Sequence, residues 1–356
     1  MERQVQPLRN PVYDILKAFA IFLVIWGHCI QHFLSTGIDN PVFRIIYAFH
    51  MPLFMMISGF FSYKSIQDSF TNLLSKKARQ LLLPCLTWYL LAYLIPKIAL
   101  LLISPNNGKD YDLTHLAYHL VQNFWFLKSV FVCYILLYLG SKTSWTISVI
   151  VGLFFYSDTF NVSWLYPSFL LGYFLNKHQI INKFSKQIIL PSGITFVVLC
   201  IFFGGKIFFR INIFEALLDK DTITIMEYLY KNLYMIVIGI SGSLFFISLF
   251  NLLFQNANSS RFSEWAKSVG QHTLPIYILQ AYICSSSTVG RFIHFDSVNF
   301  YLYHFIIAPI ISIAVIVLCE SIFRLTERSA VCKLLLWGMK APNNKKKVVM
   351  EPEKSN

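Results

Sequence analysis

A lysine and two histidines lie on one long apolar segment, where ionisable groups are costly. The apolar run from Ile15 to about Leu34 carries Lys17, His28 and His32, with Asp14 just before it. On a helix each residue turns about 100°, so the eleven steps from Lys17 to His28 come within about 20° of three full turns. The two side chains then share a face, about 16 Å apart along the axis. Asp14 falls about 40° to the other side of His28, and His32 one turn beyond it. One stripe, Asp14–Lys17–His28–His32, therefore runs along an otherwise apolar cylinder. A neutral imidazole in such a place is suited to proton transfer near neutral pH. The plainer role is a hydrogen bond to a neighbouring helix. Metal ligation by the i, i+4 histidines is disfavoured, because no H-E-x-x-H pattern or acidic third ligand accompanies them.

A second apolar run, F-R-I-I-Y-A-F-H-M-P-L-F-M-M-I-S-G-F-F, contains His50. If the two runs are antiparallel helices, His50 and His28 lie at similar depth. Pro52, in the same run, can kink the helix and free backbone carbonyls that a cavity would solvate. Lys76, Lys77 and Arg79 precede the third run, at about the depth of Lys17. They read either as a cationic patch at the inner mouth of a pocket or as simple topology signals.

The elements that must position these residues follow from composition. The 356 residues are 56% hydrophobic and 13% charged, with mean hydropathy +0.57. A soluble domain carries about 25% charge. The apolar runs are too long for the roughly ten-residue alternating strands of a membrane barrel. The expected fold is all-α: a polytopic membrane bundle of about ten helices near 15–35, 43–61, 81–103, 117–139, 145–160, 163–177, 188–208, 228–253, 270–290 and 299–323. Most of the 30 basic residues then fall on one side, which puts both termini in the cytoplasm. Topology and anionic lipid account for the net charge of +13, and no nucleic-acid partner is expected. The first span reads as uncleaved. The seven cysteines are odd in number and form no C-x-x-C pair, so they read as packing residues. A membrane domain over 1–326 and a basic cytoplasmic tail over 327–356 complete the organisation.

The stretches Y-D-I-L-K-A-F-A-I-F-L-V-I-W-G-H (13–28) and F-H-M-P-L-F-M-M-I-S-G-F-F (49–61) resemble the opening of the acyltransferase-3 family of integral membrane O-acyltransferases. Later segments are similar in the same order: R-Q-L-L-L-P-C-L-T-W (79–88), N-F-W-F-L-K (123–128), Y-P-S-F-L-L-G-Y (166–173) and V-G-Q-H-T-L-P-I-Y-I-L-Q (269–280). The family pattern of a basic residue, ten others and a histidine falls on Lys17 and His28. Its basic position before the third span falls on Arg79.

The resemblance implies an acyl-CoA donor, usually acetyl-CoA, and a sugar or lipid-linked glycan hydroxyl as acceptor, at the bacterial plasma membrane. It makes His28 a general base or a transient acyl carrier. Lys17 and Arg79, with Lys76 and Lys77 beside them, would attract the donor's phosphates, while His50, Trp125 and Asp14 would belong to the acyl or acceptor pocket. Two departures stand out. Many members have an acidic residue soon after the histidine, and 29–38 contains none; Asp14 or Asp39 takes its place, or no carboxylate orients the ring. Gln280 stands where a histidine is common. The rival reading is an exporter or flippase of a lipid-linked glycan, in which the polar stripe binds cargo and no bond changes.

Overall fold

Proline and asparagine start the first two helices. The computed structural model describes residues 11–103, 124–155, 160–202, 222–255, 260–284 and 294–340. Helix α1 (Pro11–Phe33) opens on Pro11 at its first turn, where a missing N–H costs nothing. Helix α2 (Pro41–Phe60) opens on Pro41 beneath an Asn40 cap, whose side chain accepts from the Val42 and Phe43 amides. Helix α3 (Phe70–Lys77) passes through a π-helical turn, Ala78–Leu82, into α4 (Leu83–Ile103). Then come α5 (Trp125–Lys142), α6 (Trp145–Leu153), α7 (Val162–Lys177), α8 (Ile180–Phe202) and α9 (Thr222–Phe254). Helices α10 (Arg261–Gln271) and α11 (Thr273–Ile283) follow. A second π turn, Tyr303–Ile307, leads into α12 (Ala308–Thr326), and α13 (Ala330–Leu335) is last.

No strand occurs among the described residues. Seven of their helices are long and apolar enough to cross a membrane: Pro11–Phe33, Pro41–Phe60, Phe70–Ile95, Trp125–Lys142, Ile180–Phe202, Leu229–Phe254 and Phe300–Thr326. The spans expected near 145–160, 163–177 and 270–290 correspond to the shorter helices α6, α7 and α11. Segments 117–123, 156–159, 203–208 and 285–290 of the expected spans lie outside the described residues, as do Arg3, Arg9 and the lysines after 340.

Helix α1 is the axis of the bundle, packed by α2, α9, α10, α11 and α12. Residues such as Leu16, Ile21, Ile25 and Ile30 are fully enclosed. Helix α2 leans on α7 and α9. In hydrocarbon, apolar side chains gain little from leaving lipid, so close backbone approach and dispersion carry helix association. The α2–α7 crossing shows this: a β-carbon on Gly172 would stand 2.0 Å from the Met56 carbonyl oxygen, and one on Gly59 equally against the Phe169 carbonyl. Gly172→Val is therefore expected to cost on the order of 3 kcal/mol or more by overpacking. Thermal unfolding in detergent checks this; an unchanged melting temperature would mean that the crossing is looser than described.

Candidate functional site

The stripe on α1 holds hydrogen-bonded groups at Asp14, Lys17 and His28. At its start Lys17 Nζ lies 3.1 Å from Asp14 Oδ1. The ammonium also stands 4.9 Å from the Phe61 ring centroid. Asp14 is buried, and its other oxygen accepts from Gln271 Nε2 at 3.4 Å. This contact exists because Gly270 precedes Gln271 in the last turn of α10: a β-carbon on Gly270 would clash with the Asp14 carbonyl oxygen. Beside it Glu320 Oε1 accepts from Ser268 Oγ at 2.7 Å and Arg324 at 2.8 Å, and lies 3.4 Å from His272 Nδ1. The Lys17 end of the bundle is thus tied together by polar contacts among α1, α10 and α12.

Three turns on, His28 Nδ1 lies 3.2 Å from Gln31 Oε1. The Tyr47 hydroxyl donates to the same oxygen at 3.5 Å. An amide oxygen only accepts, so Nδ1 carries the proton and Nε2 keeps its lone pair. His50 has the same tautomer for a different reason: its Nδ1–H donates to the Ile46 carbonyl at 2.8 Å, one turn back on α2. The Tyr47 ring lies between the two imidazoles, 4.4 Å from His50 and 6.4 Å from His28 by centroid. His32 stacks parallel to His28 at 5.6 Å. Gly27 makes room for this arrangement, since a β-carbon there would stand 2.6 Å from the Tyr47 ring.

Between Lys17 and His28 the same face of α1 is completed by Ile21 and Val24. Both line a cavity of about 150 Å³, with Met51 of α2, Leu81 of the first π turn, Leu127 of α5 and Tyr277 of α11. A cavity of that size admits a small organic group. It has Met51, next to His50, on one wall and Leu81, two residues after Arg79, on another.

The other expected site residues are placed as follows. Arg79 lies in the π turn Ala78–Leu82, and its Nε is buried with no hydrogen-bond partner among the described residues. Lys77 lies over the Tyr134 ring, 3.8 Å from its centroid, and Lys76 is 3.6 Å from Asp68. Trp125 opens α5 and meets Phe126 edge-on. Neither carboxylate considered for orienting His28 faces the ring: Asp14 is with Lys17, and Asp39 is with Arg44 at 2.6 Å. Gln31 fills that place instead. Gln31 and Tyr47 went unnoticed in the sequence because neither carries a charge at neutral pH; the signal was spacing, Gln31 three residues from His28 and Tyr47 three from His50. Gln280 is buried on α11, donating to the Tyr277 carbonyl.

Residues 10–321 match the acyltransferase domain of the acyltransferase-3 family. The chain belongs to this family. It is 32% identical over 179 residues to "Nodulation protein NolL" of Mesorhizobium japonicum, covering 46% of this chain and 47% of that protein. It is 35% identical over 133 residues to the protein of the same name from Sinorhizobium fredii, covering 36% of each. The chain thus spans about half, or less, of the curated relatives it matches. No solved structure matches it.

The Asp14–Lys17 pair generates a stability prediction. Lys17→Met removes a cation 3.1 Å from a buried carboxylate and is expected to destabilise by roughly 3 kcal/mol, whereas Asp14→Leu with Lys17→Met restores most of the loss. Unfolding in detergent is the check. Equal losses in the single and double variants would show that the pair itself contributes the stability.

Proposed function

We propose that the protein is a membrane O-acyltransferase, moving an acyl group, most commonly acetyl, from acyl-CoA to a hydroxyl of a cell-surface or lipid-linked sugar. The observation that carries this reading is the His28 Nδ1–Gln31 Oε1 contact, on the same face of α1 as the apolar cavity; an imidazole that donates there keeps its lone pair on Nε2. Membership of the acyltransferase-3 family supports it. The site is read with the Lys17 end toward the cytoplasm of a bacterial plasma membrane, where acyl-CoA is made.

In this reading Lys17 and Arg79 receive the donor's phosphates. The pantetheine arm enters the cavity along Ile21 and Val24 and brings the thioester toward His28. The acceptor reaches His28 from the other end, past His50 and Trp125. A sugar hydroxyl is a weak nucleophile at neutral pH. As its oxygen bonds to the thioester carbonyl carbon, His28 Nε2 takes its proton. The tetrahedral intermediate collapses, the carbon–sulfur bond breaks, and the proton passes from the imidazolium to the leaving CoA sulfur. Gln31 holds the ring in the tautomer that makes Nε2 the base, the part that a carboxylate plays beside many catalytic histidines.

Proteoliposomes given labelled acetyl-CoA and a glycan acceptor test the reading. Base-labile label is expected on the acceptor. His28→Ala is expected to lower the rate about 10³-fold and Gln31→Ala about tenfold, with melting temperature retained. Undiminished transfer by His28→Ala would overturn the assignment.

A further inference from the structure

The chain's last described residues pack onto the turn that carries Arg79. Helix α13 (Ala330–Leu335) is followed, past Leu336 and Trp337, by Gly338, whose φ of +64° is the left-handed conformation that glycine adopts without strain. Its N–H donates to the Leu334 carbonyl at 2.9 Å, closing the helix. Trp337, just before it, is only 1% exposed. Its indole N–H donates to Thr326 Oγ1 at 3.1 Å. Its ring lies 5.3 Å from Trp88 of α4 and 5.5 Å from Phe323 of α12. Trp88 reciprocates by donating its indole N–H to the Leu336 carbonyl at 3.1 Å. Gly338 itself rests on the backbone of the π turn: a β-carbon there would stand 2.3 Å from the Arg79 carbonyl oxygen and 2.9 Å from Gln80 Cα.

Two features make this more than a packed end. A π turn inserts one residue into a helix and is kept chiefly where function needs it. Here it sets Arg79 and Leu81, and Leu81 is a wall of the cavity. Arg79 also keeps a buried Nε with no hydrogen-bond partner among the described residues, a donor that an anion would satisfy.

We propose that residues 330–339 are a strap that holds this π turn in place, and that Trp337 and Gly338 are positioning residues for binding the phosphates of the acyl donor. The proposal rests on the donor reading above. Its prediction concerns donor affinity, because the strap acts through Arg79 and not through His28.

The test is steady-state transfer in proteoliposomes with acetyl-CoA as the varied substrate. The proteins are wild type, Gly338→Ala, Trp337→Phe, Arg79→Gln and the double variant Arg79→Gln/Gly338→Ala. Gly338→Ala adds a β-carbon at a left-handed position against a carbonyl. It is expected to raise KM for acetyl-CoA about five- to tenfold with kcat within about twofold. Trp337→Phe keeps an aromatic ring, loses the bond to Thr326, and raises KM in the same direction by less. It also serves as the reading if Gly338→Ala fails to fold. Arg79→Gln raises KM at least as much, and the double variant is no worse than Arg79→Gln alone, because the two act as one unit. If Arg79→Gln raises KM while the strap variants leave it unchanged, lower kcat instead, or multiply with Arg79→Gln, the strap proposal is overturned and the donor reading stands. If Arg79→Gln leaves KM unchanged, Arg79 does not bind the donor and both fall.

Discussion

Hydrocarbon solvates neither a carboxylate nor an ammonium, and a polar group placed there must find its partners inside the protein. Helix α1 carries Asp14, Lys17, His28 and His32 under that constraint, and much of the bundle is arranged to meet it. Asp14 and Lys17 neutralise one another, with Gln271 and the Phe61 ring around them. His28 gives its proton-bearing nitrogen to Gln31. The helices that surround α1 bring these partners in, and glycines at 27 and 270 let the partners come close enough. With Nδ1 held by Gln31, Nε2 of His28 is left with its lone pair, on the same face of α1 as an apolar cavity.

The same constraint separates chemistry from scaffolding. His50, on the facing helix, satisfies Nδ1 with its own backbone and needs nothing from a neighbour to fix its tautomer. His28 depends on side chains from both helices, since Gln31 is shared with Tyr47. A shared acceptor fixes a ring more tightly than a single contact does, because moving either helix disturbs both bonds. An exporter has less need of such a fixed tautomer, since recognising cargo requires donors and acceptors but no defined proton carrier. Transfer of an acyl group requires one. Membership of the acyltransferase-3 family points the same way.

Much of this was legible in the residues. The eleven-residue spacing of Lys17 and His28 fixes their common face by helix geometry alone, and the motif that repeats it identifies the family. The pairing of Asp14 with Lys17 follows from their separation of three. Span counting was less legible over 145–177 and 270–290, because α6, α7 and α11 are short and hydropathy does not distinguish a short buried helix from a full crossing. Gln31 was hidden because a neutral amide leaves no charge signal, so the search for an orienting group stopped at carboxylates. The strap was hidden for the opposite reason: Lys333 and its place just before the lysine-rich end of the sequence make it resemble a solvated tail. Trp337 followed by Gly338 is the signal that it packs, an aromatic anchor and a left-handed helix stop side by side.

The central claim is that a covalent ester is made and that His28 makes it. Proton NMR of the host's surface polysaccharide, before and after mild alkali, measures this directly. The comparison is between wild type, a gene deletion, and the deletion carrying either the wild-type gene or His28→Ala. The account predicts alkali-labile ester signals in wild type, lost in the deletion, restored by the wild-type gene and still absent with His28→Ala. Polysaccharide that disappears from the surface in the deletion while its remaining ester content stays unchanged would contradict it, and would make the polar stripe of α1 a path for cargo.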